Sequence, residues 1–427
     1  MEPLIQIILH YSENPNVNPA IREEIFQKAE ERLCISHIFL NTQQMLGALY
    51  SFIRVRKGSD AFFRLMQDRV LLNVDSFSLE EINKLMIIFS NLPHYAPPVF
   101  SAVEKHITKN IKKIHRESVS RLFQLFSEFR CGSLDFFNRL IDYLVGQVYN
   151  MSAQEFTKNL WACAQLEVSG ADVYLKKAHE LVEAKKDLFS IKELASMAWS
   201  FAVAGYDEKP LFLTIEREIQ KHMLREDEVT GRDLAFVLWA YVQRIPMTKH
   251  TLDRIKELIL VKKDTLNEWD VATILWGFSK FKGYPVKDFF KELIEPSKKL
   301  VEKMDGYELA ISMRAFAEED VGDEELFLKF KERIEAIIDQ LDLVQTVSII
   351  YSMDLLTVID SPKVFGDLRE KLREQAIRLQ SQVATKPEKE DESLFDFGSV
   401  DAYEQNLKYE EYKKIGRKTP KKGEESH

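Results

Sequence analysis

The sequence predicts an all-α fold, an α-solenoid of about nine two-helix repeats of about 38 residues each. Three observations lead there. Glycine and proline are scarce, at 15 and 13 of 427 residues. That is about half the usual share, so tight turns are few and β sandwiches or barrels are disfavoured. Hydrophobic residues reach 45% against 30% charged, enough for most of the chain to fold. Above all, a short motif recurs in register. Its anchors are Tyr50, Phe89, Phe126, Trp161, Trp199, Trp239, Trp276, Arg314 and Tyr351, spaced by 39, 37, 35, 38, 40, 37, 38 and 37 residues. The residue after each anchor is Ser, Ala or Gly. A fixed period of this size, in a chain of this length, signals stacked helical repeats.

Residues 1–37 precede the first repeat and read as an N-terminal helical cap. Their apolar patch, Leu4 to Leu9, has neither a basic leader nor a small-residue cleavage site. It is therefore not a secretory signal. It also lacks the Arg-rich, acid-poor character of a transit peptide, so an organellar address would have to be cryptic or already removed from this numbering.

Residues 38–382 read as the solenoid. In most repeats a helix-capping residue stands nine positions before the anchor, with an acid or amide three residues later. The pairs are Asn41 with Gln44, Ser152 with Glu155, Ser190 with Glu193, Thr230 with Asp233, Asn267 with Asp270, Asp305 with Glu308, and Asp342 with Gln345. Repeat two slips by two positions, to Ser78 with Glu81, and repeat three shows no clear pair. This is the capping-box spacing, which places each anchor on the first helix of its repeat, helix A. A second amphipathic run follows, as in residues 172–182, 251–261 and 288–304; this is helix B. On a helical wheel, positions −5, −4, −1, 0, +2 and +3 around the anchor form one broad apolar arc. The anchors therefore read as core spacers, and the small residue at +1 as the place where a neighbouring helix packs close.

Positions −7, −3 and +4 form a narrow face whose chemistry changes from repeat to repeat. Repeat four carries Gln154, Lys158 and Gln165; repeat five carries Lys192, Ser196 and Val203. Repeat six carries Arg232, Phe236 and Gln243; repeat seven carries Trp269, Thr273 and Lys280. Repeats two, eight and nine are largely apolar there. Such a face can act as a modular reader or simply meet solvent. Cations also close several A helices, at Arg54, Arg56 and Lys57, at Arg130, at Arg244, and at Lys280 and Lys282. They can compensate the helix dipole, form a rail for phosphates, or do both.

Residues 383–427 break the apolar periodicity. They hold nine Lys or Arg and eleven Asp or Glu, and read as a charged, disordered tail. Phe395, Phe397, Tyr403, Tyr409 and Tyr412 within it suggest a docking segment for a partner protein.

Several function classes drop out. With Lys and Arg at 59 and Asp and Glu at 68, the net charge is −9. That excludes a uniformly basic nucleic-acid coat and leaves room for a local basic groove. The three cysteines, Cys34, Cys131 and Cys163, are far apart, so no metal or disulfide framework is indicated and reduced thiols are expected. No apolar run reaches the roughly 18 residues of a membrane span. No phosphate-binding glycine loop and no hydrolase or metalloprotease motif occurs. The expectation is a non-enzyme without cofactor or metal.

The period, the two helices per repeat and the Leu-Trp-Ala cores, as at Leu160-Trp161-Ala162 and Leu238-Trp239-Ala240, resemble the octotricopeptide repeat family over roughly residues 38–380. They also resemble the related FAST-kinase-like and apicomplexan heptatricopeptide repeats. The proline-rich repeat start of the first family is missing, and no C-terminal RAP domain is recognisable. The resemblance implies an organellar RNA-binding protein that acts in RNA metabolism or as an accessory component of a mitochondrial ribosome. Single-stranded or ribosomal RNA would meet helix A side chains. The candidates are Gln154, Lys158, Gln165, Lys192, Arg232, Gln243 and Lys280, with Arg54 and Arg130 at helix ends. The competing expectation is a scaffold subunit of a large mitochondrial complex. It would bind proteins through its apolar A faces and its tail, without membrane insertion.

Overall fold

The computed structural model describes residues 1–385, apart from Pro15, Pro93, Arg130 and residues 167–169. Every regular element among the described residues is a helix, and the fold is an all-α solenoid. Arg130 and the tail from Lys386 onward lie outside the described residues. None of the described helices is long and apolar enough to cross a membrane.

The chain divides at Lys177 into two compact units. The first contains α1 (Glu2–Glu13), α2 (Pro19–Ser36), α3 (Thr42–Arg54), α4 (Asp60–Asn73), α5 (Leu79–Ser90), α6 (Ala96–Asn110), α7 (Arg116–Glu128), α8 (Leu134–Val145) and α9 (Ala153–Gln165); α10 (Ala171–Lys185) contains the boundary. The A helices α1, α3, α5, α7 and α9 pack each on the next, and the B helices α2, α4, α6 and α8 do the same. The segment expected as a cap, residues 1–37, is therefore itself a helix pair that stacks like the others.

The second unit has α11 (Ile191–Val203), α12 (Lys209–His222), α13 (Gly231–Gln243), α14 (Lys249–Lys262) and α15 (Glu268–Lys280). Then come α16 (Lys287–Glu292), α17 (Ile294–Leu300), α18 (Gly306–Glu319), α19 (Glu324–Ile337), α20 (Leu343–Leu355), α21 (Ser361–Phe365) and α22 (Leu368–Thr385). Here the A helices are α11, α13, α15, α18 and α20, again packed in sequence. Two B helices are broken, into α16 with α17 and into α21 with α22.

The caps form as the spacing predicts. Seven capping boxes close reciprocally, at Asn41, Ser78, Ser190, Thr230, Asn267, Asp305 and Asp342. Repeat three, starting at His115, has no side-chain cap. The pair Ser152 and Glu155 is half formed. Ser152 accepts from the Glu155 N–H, while the Glu155 carboxylate is drawn to Arg116 Nε at 3.0 Å and to the Ser120 hydroxyl at 2.9 Å.

The core follows the anchor register. Phe89, Phe126, Trp199, Trp239 and Trp276 are buried, whereas Tyr50 and Tyr351 stand about half exposed with Arg54 and Arg314 over their rings. The small +1 column lies where A helices approach each other. The Ser127 hydroxyl donates to Ala162 O at 3.0 Å, and a Cβ on Gly277 would lie 3.2 Å from the Leu238 Cβ. One further column lies outside the anchor and capping pattern. The residue just ahead of the A-helix cap is apolar in all nine repeats; Leu40, Phe77, Ile114, Phe189, Val229, Leu266, Met304 and Leu341 are buried, and Met151 of repeat four is partly buried. This is the N′ position of a hydrophobic staple, and it fixes how the chain enters each A helix.

The cysteines are free, with Cys131 and Cys163 buried and Cys34 partly so. Burial pushes the thiols of Cys131 and Cys163 well up, so neither is a ready thiolate.

Candidate nucleic-acid interface

The narrow face at −7, −3 and +4 is not an open surface along the repeats. Ile82, Met86, Trp269, Thr273, Tyr307, Ile311 and Gln165 are all buried. The Phe236 ring sits 6.0 Å from that of Trp199 and 5.2 Å from that of Trp269, on the preceding and following A helices. The wheel treats a helix as isolated, whereas each A helix here has a neighbour on both sides. Much of the face that varies in chemistry is packed between them.

The individual candidates separate accordingly. Gln154, Lys158 and Lys192 are exposed on α9 and α11, and neither lysine has an ion-pair partner among the described residues. Gln243 is partly buried at the end of α13. Arg232 is structural: its Nε donates to Asp270 Oδ1 at 2.8 Å, and its guanidinium lies 4.4 Å from the centre of the Trp269 ring. Burial pushes the Asp270 carboxyl above its ordinary value, and the Arg232 charge pulls the other way. Thr42 with Glu81 and Arg116 with Glu155 repeat the pattern, each joining one A helix to the capping acid of the next. Arg54 lies over Tyr50, 5.7 Å from the ring centre. Arg54, Gln154, Lys158 and Gln165 belong to the first compact unit, and Lys192, Arg232, Gln243 and Lys280 to the second.

Within the second unit the helix-end cations do converge. The turns joining α13 to α14 and α15 to α16 flank a cleft of about 460 Å³. Arg244, Lys249, Lys280 and Lys282 line it, and none of its lining residues is acidic. Arg244 is anchored, donating from Nε to Ala202 O at 2.7 Å and from Nη1 to Asp207 at 3.1 Å. Lys280 Nζ reaches Glu318 at 3.3 Å. Lys249 and Lys282 are exposed and carry no ion pair among the described residues. Lys249 was not among the predicted residues. It opens a B helix rather than closing an A helix, so a search for cations at A-helix ends passes over it.

A family model described as RNA-editing substrate-binding complex 6 protein matches residues 173–408, more than half of the chain. The chain belongs to the RNA-editing substrate-binding complex 6 protein family. The matched span takes in all of the second unit's described helices from α11 to α22, the cationic cleft included, and extends past Thr385. The family is RNA-associated and helical, which agrees with the coarse part of the sequence resemblance. The match does not extend to the octotricopeptide or FAST-kinase-like families. No curated protein matches the chain.

Proposed function

We propose that the protein is a non-catalytic, helical-repeat subunit that contacts RNA inside a mitochondrial RNA-editing assembly. The observation that carries this reading is the family match over residues 173–408, which covers the acid-free cleft of the second unit. Exposed, unpaired lysines on a helical scaffold suit phosphate contact without base chemistry of their own. The family's name favours an RNA-editing complex over a ribosome, and RNA-editing complexes are typically mitochondrial in the organisms that have them. No part of this reading needs a metal or cofactor.

A scaffold role is the second reading. It is favoured by the net charge of −9 and by the packing of the variable A-helix face between neighbours, which withdraws candidate base contacts. Protein contacts would then use exposed apolar side chains such as Tyr351 and Val347, together with the tail. Ultraviolet crosslinking of RNA in the native assembly, followed by mapping of the modified peptides, separates the two. RNA-linked peptides from residues 191–385 support direct contact. An assembly that co-purifies this chain with its RNA but leaves the chain without crosslinks favours the scaffold.

A further inference from the structure

We infer that the cleft between the α13–α14 and α15–α16 turns takes one nucleotide of a single-stranded RNA, with its phosphate on Lys249 and Lys282 and its base against the apolar wall. The inference rests on the RNA reading above and gives it a place and a ligand.

Charge is the first argument. The chain as a whole is acidic, yet the lining of this cleft holds four cations and no carboxylate. The matching A–B turns on either side are different. The turn before α12 carries Asp207 and Glu208, and the one before α19 carries Asp320 and Asp323. Three of those four carboxylates have structural work: Asp207 holds Arg244, Asp320 accepts from the Thr357 and Val358 N–H groups, and Asp323 caps α19. The cationic turns thus stand out from their neighbours in the same repeat position.

The second argument separates fixed from free charge. Arg244 and Lys280 are neutralised by Asp207 and Glu318, so they shape the cleft. Lys249 and Lys282 have no such counter-ion among the described residues and supply the unbalanced positive charge.

The third argument is the wall. Ile245, Pro246, Phe281 and Pro285 give the cleft an apolar side. Phe281 is only partly buried and makes no ring–ring contact among the described residues. A bare phosphate would leave this surface wet, and the family match over this cleft favours RNA over an acidic peptide as the source of a flat ring beside a charge. A nucleotide offers both parts, since every base has a π-face that stacks on aromatic side chains. The volume lies within the roughly 300–1,000 Å³ range of small-ligand sites. A base must be unpaired to enter, which selects single strands.

The test is fluorescence anisotropy of the full chain with a labelled single-stranded uridine oligomer over a salt series. The variants are Lys249→Ala/Lys282→Ala, Phe281→Ala, and Lys209→Ala/Lys303→Ala as a charge-matched control. The first should weaken binding at least about ten-fold and flatten the salt slope by about 0.7, the value for one phosphate on a single strand. Phe281→Ala should weaken binding with the slope unchanged, and the control should bind like the natural chain. A 4-thiouridine oligomer should crosslink to the peptide holding Phe281 in the unmutated chain, a readout that needs no variant to fold. If RNA binds but the cleft variants keep full affinity and slope, or the crosslinks map elsewhere, the cleft is wrong and the RNA reading stands. If the chain binds no RNA, that reading fails and the cleft with it. Displacement of the oligomer by polyglutamate as readily as by unlabelled RNA would assign the cleft to an acidic peptide and overturn the inference.

Discussion

At the scale of single residues, Arg232 shows how a cation that looks functional in sequence can be structural in the fold. Its partner Asp270 is buried, and it is also the acid that closes the capping box of Asn267. Removing Arg232 leaves that carboxylate buried without its counter-charge, which is costly in a low-dielectric site. Arg232→Ala should therefore destabilise the second unit by about 1–3 kcal/mol at neutral pH, the penalty for a buried group deprived of its partner. The sign of its pH dependence follows from the direction of the shift. Burial holds the Asp270 carboxyl above its ordinary value, and loss of Arg232 raises it further. A raised acid opposes folding above its folded-state value and stops opposing it below the unfolded value, near pH 4. The loss on Arg232→Ala should thus be greatest at neutral pH and shrink towards pH 4. Thermal melts of both proteins across that range check it, and a pH-independent loss would mean that lost packing on Trp269 dominates. The sequence could not assign Arg232 this role. Its partner lies 38 residues away, and only the stacking of α13 on α15 brings them together.

At the scale of elements, features that depend on a few neighbouring residues were legible and those that depend on stacking were not. The caps at Asn41, Thr230 and Asp342 need only a residue and its third neighbour, so the sequence shows them. Glu155 departs because a neighbouring helix offers Arg116 and Ser120, which no local pattern reveals. The staple column at Leu40, Phe77 and Leu266 keeps the register of the repeat but stands one position ahead of the capping pair. The cleft is built from two turns that become adjacent only when α13 packs on α15, so Arg244, Lys280 and Lys282 read as separate helix-end charges and Lys249 is passed over. The +1 column allows a quantitative check of that packing. Gly277→Ala should be close to neutral. Alanine gains up to about 1 kcal/mol in helix propensity, while its Cβ, 3.2 Å from that of Leu238, crowds α13. Gly277→Val adds branches with no room and should cost about 1–3 kcal/mol. Urea unfolding of the two variants measures this; equal stability for both would show that α13 and α15 separate freely at that point.

At the scale of the whole molecule, the consequence of the repeat is that stability is local. In a solenoid each helix pair touches only its neighbours, so a defect weakens the pairs beside it and spares distant ones. Trp239 is the natural probe. It is buried on α13, its ring 5.8 Å from that of Trp199 on α11, and α13 also packs on α15. Trp239→Ala should cost about 3–5 kcal/mol, the usual penalty for emptying a large aromatic site. Native-state hydrogen exchange should show where that loss falls. Amides of α11, α13 and α15 should lose protection first, while those of α3, α5 and α7, in the other compact unit, should keep theirs. The contrast matters because a chain of 427 residues with one cooperative core would lose protection everywhere at once. A uniform loss across α3 to α20 would refute the picture of nearest-neighbour stacking. A loss confined to α13 alone would refute it from the other side, since Trp239 would then not be coupled to the helices it packs between.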